Sequence, residues 1–116
     1  MKVIYVAGPY RAGDSWRVEL NVREAERIGF ELAQLGAVPL VPHSMYRFWD
    51  RTLSDRFWLD GTAALLRRSD AIALAPRFRS SAGSLAELDI ATALGLPVFY
   101  MGEPRALTEV ASWLAE

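Results

Sequence analysis

The chain has 116 residues, 52% of them hydrophobic, a net charge of −1, no cysteine and one histidine. That length makes one domain, residues 1–116, with enough buried surface for a real core. The near-neutral charge argues against a dedicated nucleic-acid polymer binder or a polybasic membrane patch. The missing cysteines exclude disulfides, a thiolate nucleophile and Cys-ligated zinc, and the lone His43 excludes a multi-histidine metal site within one chain. No apolar run approaches the ~18 residues of a membrane span. The N-terminus enters a strand at once, which predicts no secretory leader, and the cytoplasm is the expected compartment.

Lys2 to Ala7, KVIYVA, has the short β-rich composition of a buried parallel strand. Gly8 to Gly13 follows as a loop in which Gly8 and Gly13 let backbone approach a ligand and Arg11 adds a cation. Such a loop between a first strand and a helix is where α/β folds often hold phosphate. It is neither a Walker loop nor a GxGxxG fingerprint, and an ordinary turn is the competing reading. A helix is expected from Ser15 to Leu35, with Val18, Val22, Ala25, Ile28, Leu32 and Leu35 on its apolar side and Gly36 as its stop. Ala37 to Val41 is a second strand, and Pro39 points to a sheet edge.

Pro42 to Leu53 gathers His43, Met45, Tyr46, Phe48 and Trp49 in one loop. Such side chains can form a stacking wall for a base, bury themselves in a dimer interface, or cap the core. His43 can line a binding site or make a structural hydrogen bond. Ser54 to Arg68 reads as a helix that Gly61, just after Asp60, splits or bends. Asp70 to Ala75 is apolar after its first residue and therefore a central strand, with Asp70 structural at its start. Arg77, Arg79, Ser80 and Ser81 then precede a helix N-terminus, as an anion site or as a solvated basic loop.

The stretch from Ser80 to Val98, SSAGSLAELDIATALGLPV, reads as loop, helix, turn and strand. Gly83 and Ser84 supply the loop and the expected N-cap, Leu85 to Leu94 the helix and Gly95 its stop. Glu87 lies with Ile90, Ala91 and Leu94 on the apolar side, opposite Asp89 and Thr92. A carboxylate there is costly unless paired or used. In the first helical turn the N-terminus favours its ionised form. One reading makes Glu87 a nucleophile. The other makes it the capping-box partner of Ser84. A last strand, Pro97 to Met101, and a helix, Ala106 to Leu114, complete the chain.

Strands thus alternate with amphipathic helices. This predicts a flavodoxin-like or Rossmann-like, doubly wound parallel sheet of about four or five strands with helices on both faces. The Tyr10 loop, the His43 loop and the Arg77–Glu87 segment all follow strands, so they gather at the carboxyl edge where such sheets bind ligands.

With those residues assembled, the chain resembles the nucleoside 2-deoxyribosyltransferase-like superfamily over nearly its whole length. It is most similar to the small members that act as 2′-deoxynucleoside 5′-monophosphate N-glycosidases. The resemblance rests on IYVAGPYRAG, SDAIALAP and SSAGSLAELDIATALGLPV. The last places Gly83 and Glu87 at the superfamily's Gly-x-x-x-Glu spacing. It implies a double displacement in which Glu87 attacks the anomeric carbon and expels the base, and water or a second base then releases the sugar. Tyr10 matches an aromatic position that orients the nucleophile. Ser81 matches the serine that holds a 5′-phosphate in the nucleotide hydrolases, where transferases favour an aspartate. With Arg11, Arg77 and Arg79 nearby, this implies a nucleotide as the small-molecule substrate. No cofactor is implied. A homodimer is expected from the surplus aromatics and from small members that complete their sites across subunits. One position departs from the pattern. The superfamily's acid falls at Thr62 here, and the nearest carboxylate, Asp60, is offset by two residues. That offset turns a helical side chain by about 200°. Asp60 reaches the site only if Gly61 breaks the helix; otherwise the leaving group relies on water or His43.

Overall fold

A computed structural model describes all of residues 1–116. Four strands, β1 (Val3–Ala7), β2 (Val38–Leu40), β3 (Ala71–Leu74) and β4 (Val98–Tyr100), form one all-parallel sheet in the order β2-β1-β3-β4. Five helices connect or flank them: α1 (Ser15–Gln34), α2 (Pro42–Met45), α3 (Asp55–Arg67), α4 (Ala82–Ala93) and α5 (Ala106–Leu114). This is the expected doubly wound α/β architecture, of the flavodoxin-like and Rossmann-like type. β2 is an edge strand, which lets Pro39 lack its ladder donor.

Side-chain parity divides the core in two. Ile4, Val6, Ala71 and Ala73 pack with Ala25, Ile28 and Leu32 of α1 and Val110 of α5. Tyr5, Ala7, Ile72 and Leu74 face the other way and pack with Leu66 of α3 and Ala91 of α4. Successive strand residues point to opposite faces, so the phenol of Tyr5 is directed at the α3–α4 layer. Asp70 ties the start of β3 to β1, its carboxylate accepting from the Val3 N–H at 2.7 Å.

Strand order reverses between β1 and β3, and the loops leaving their carboxyl ends diverge there. Gly8 stands at that point: a Cβ built on it would lie 2.7 Å from the Cβ of Ala75. Gly8→Ala is expected to force the two strand ends apart and to destabilise the fold by about 1–3 kcal/mol. Denaturant titration at constant m-value checks this.

Three local expectations are corrected. Ser81, not Ser84, caps α4: its backbone is extended and its hydroxyl accepts from the Ser84 N–H at 3.1 Å. The helix therefore begins one turn earlier, Ser84 lies inside it, and the Ser84–Glu87 capping box does not form. Glu87 falls in the second turn, where the helix dipole acts less strongly. Next, α3 runs without a break through Gly61, since a single helical glycine costs only about 1 kcal/mol and the packed helix tolerates it. Finally, the aromatic loop begins with the short helix α2. At the other end of α4, Gly95 stops the helix as expected, with φ +72°.

Candidate functional site

A cavity of about 790 Å³ opens at the carboxyl edge of the sheet, within the size range of small-molecule sites. Its walls come from the loop after β1, the inner side of α1, α2, one face of α3, and the segment from Arg77 into α4. The three loops expected to converge do so.

Glu87 is half-buried at the base of this cavity. The fully buried Tyr5 donates its phenolic hydrogen to Glu87 Oε2. Burial pushes the Glu87 carboxyl up to about 7, and the Tyr5 hydrogen bond pulls partly against that rise. The net direction is opposite to the one expected from a helix N-terminus, because desolvation outweighs the distant dipole. Burial, with the neighbouring Glu87 charge, holds the Tyr5 phenol far above its ordinary range, so it remains a donor. At neutral pH the carboxylate is poised between its two forms, with one oxygen fixed by a phenol that cannot ionise.

Tyr10, the aromatic expected beside the nucleophile, lines the same cavity, but its hydroxyl donates to the Arg47 carbonyl at 3.2 Å. Tyr5 reaches Glu87 instead, because it projects from within the strand. His43 also lines the cavity; its Nε2–H donates to the carbonyls of Gly8 and Pro9 at 3.0 and 3.1 Å. Two carbonyl acceptors define that tautomer. Burial holds the imidazole below its usual range, so it is neutral at pH 7. His43 therefore acts as a strut under the first loop and has no proton to lend a leaving group.

Arg11 lines the mouth and pairs with Asp55 at 2.5 Å. Arg77, Ser81 and Gly83 line the wall nearest α4. Arg79 does not: it lies over the Phe78 ring at 4.5 Å, beside a separate small depression. Asp60 is also outside. It sits on the outer face of the unbroken α3, two-thirds exposed and paired with Arg56 at 3.2 Å. The face of α3 turned to the cavity carries Asp55, Trp58, Leu59 and Thr62, the three- and four-residue spacing of one helical side.

The aromatic loop divides. Tyr46 lines the cavity and packs on Trp58 with ring centroids 4.8 Å apart. Phe48 and Trp49 are 82% and 56% exposed on the outer surface. Tyr46 thus faces the cavity, while Phe48 and Trp49 neither line it nor cap the core.

Sequence reasoning missed Tyr5, Asn21, Asp55 and Trp58. Asn21 had a signal, since it interrupts the apolar side of α1 four residues before Ala25. Tyr5 had none, because both faces of its strand are apolar.

Three buried side-chain polar atoms have no hydrogen-bond partner: His43 Nδ1, Trp58 Nε1 and Ser84 Oγ. All three residues line this cavity. Buried polar groups are paired almost everywhere in proteins, and these three atoms are exceptions packed behind the cavity surface. No group of three or more His, Cys, Asp or Glu side chains is arranged to hold a metal ion. No helix is long and apolar enough to cross a membrane.

No curated protein matches the chain. Residues 2–101, which carry β1 to β4 and every cavity residue, match a family described as a domain of unknown function, DUF7768. The chain therefore belongs to the DUF7768 family.

Proposed function

We propose that this protein is an N-glycosidase that hydrolyses the bond between base and sugar in a (deoxy)nucleoside 5′-monophosphate, with Glu87 as nucleophile. The single observation that carries the reading is a half-buried carboxylate at the floor of a nucleotide-sized cavity, one oxygen held by Tyr5. The motif resemblance to the nucleoside 2-deoxyribosyltransferase-like superfamily supports it.

In the reaction, a Glu87 oxygen forms a bond to the anomeric carbon while the carbon–nitrogen bond breaks and its electron pair leaves with the base. The base takes a proton from water in the open cavity, since Asp60 faces solvent and His43 is committed to backbone. Water then attacks the anomeric carbon of the glycosyl ester, its proton passes to solvent, and Glu87 is released. The products are sugar 5-phosphate and free base. Arg77, Ser81 and the first turn of α4 supply a setting for the phosphate, and Tyr46 a wall for the base. The reaction is placed in the cytoplasm, and the protein as a homodimer joined through the exposed Phe48 and Trp49.

A second reading, a deoxyribosyltransferase, differs in letting a free base intercept the ester. A third, a non-catalytic nucleotide sensor, is favoured by the outward Asp60. A base-release panel separates them, run with and without the 5′-phosphate and with an added second base. Free base and sugar phosphate are expected. A new nucleoside would mean a transferase, and nucleotide binding without turnover would mean a sensor.

A further inference from the structure

We infer that Asn21 is a positioning residue that aims Arg77 at the anionic end of the ligand, and so sets the preference for phosphate-bearing over phosphate-free nucleosides. The inference rests on the proposed nucleotide reading. It does not need the protein to be a catalyst.

Asn21 is 6% exposed, in the second turn of α1, on a side otherwise apolar. Both halves of its amide are engaged. Nδ2 donates to the Tyr10 carbonyl at 3.0 Å, and Oδ1 accepts from Arg77 Nη2 at 2.7 Å. A buried amide satisfied in both directions has one orientation. It therefore sets two walls of the cavity at once, the first loop through Tyr10 and the anion side through Arg77.

Arg77 needs such a support. It leaves a loop, and its side chain is 55% exposed. Its ionic partner, Glu24 of α1, lies 3.5 Å from the same Nη2. A carboxylate alone would offset the guanidinium's charge. The neutral Oδ1 of Asn21 orients it without cancelling charge. Both anchors take Nη2, which leaves the Nε and Nη1 hydrogens for an incoming anion. Ser81, Ala82 and Gly83, at the start of α4, line the same cavity.

The test measures binding by calorimetry to four proteins: the full chain, Asn21→Ala, Arg77→Ala and the double variant. The probes are the common 2′-deoxynucleoside 5′-monophosphates and the matching nucleosides. The expected result is that Asn21→Ala weakens monophosphate binding about tenfold more than nucleoside binding, whatever loss the two ligand classes share through the Tyr10 contact, and that this phosphate-specific loss does not add to that of Arg77→Ala. Equal weakening of both ligand classes, or losses that add in the double variant, would overturn the inference. If Asn21→Ala does not fold, Asn21→Asp carries the test. Its carboxylate keeps the shape but competes with phosphate for Arg77, so it should erase the preference, and a retained preference overturns the inference. Wild-type binding with no preference for the phosphate also overturns it. Binding without turnover removes the glycosidase reading and leaves this inference standing. No binding of any probe removes both.

Discussion

Glu87→Gln is expected to reduce base release by about 10³-fold or more while the protein stays folded. The amide keeps the shape of the side chain and can still accept from Tyr5, but it cannot form a glycosyl ester that turns over. The same variant carries a second signature. In the folded wild type the carboxyl titrates near 7, above its ordinary 4.5, because burial penalises the charged form. The folded state thus holds this proton more tightly than the unfolded chain. The associated stability is fully present below about pH 4.5 and is lost as pH rises through about 7, by roughly 3 kcal/mol in all. Glutamine has no such loss. Its stability advantage over wild type should therefore be larger at pH 8 than at pH 5 by about 2.5 kcal/mol, the rest having been lost already at pH 5. Denaturant unfolding of both proteins at the two pH values checks this. A constant difference would show that the carboxylate is not desolvated, and turnover within tenfold of wild type would show that it is not the nucleophile.

Tyr5→Phe is expected to lower turnover at pH 7 by about 10- to 100-fold and to move the rising limb of the pH–rate profile upward by about one unit or more. The phenol stabilises the charged carboxylate against the rise that burial imposes. A hydrogen bond to an ionised group contributes about 1.5–3 kcal/mol, which is one to two pKa units. Without it, fewer molecules carry ionised Glu87 at neutral pH, and the free carboxylate samples more orientations. Raising the pH should recover part of the loss, which a merely destabilised protein would not do. Tyr10→Phe provides the contrast: its hydroxyl serves the Arg47 carbonyl, so the profile should keep its midpoint. A shift in Tyr10→Phe and none in Tyr5→Phe would return the orienting role to the first loop.

Both experiments turn on residues that differ in how visible they were before folding. Glu87 was legible because an acidic side chain on an apolar helical side is a conflict, and conflicts are informative. Its position in the second turn was not legible. Ser81 and Ser84 are equally competent caps, and the 3-10 turn at Phe78–Ser80 leads the chain directly into Ser81. Asp60 had the chemistry of an acid but the wrong angle, and the continuity of α3 through Gly61 turned it to solvent. Arg77 and Arg79 were indistinguishable in the sequence. The buried Asn21 reaches one of them, while the other folds over Phe78.

The order of amphipathic helices and apolar strands in the sequence alone determined a parallel α/β sheet with its loops gathered at one edge. Periodicity is a local property, and the rules for crossovers leave few ways to wind it. Only the tertiary structure decided which side chains meet. Tyr5 and Glu87 are 82 residues apart, and Asn21 and Arg77 are 56 apart. Each pair forms because strand parity and helix phase bring them to the same cavity wall. A strand apolar on both faces does not announce which face looks toward which helix. That choice belongs to the packing of whole layers, and with it the aim of every group in the candidate site.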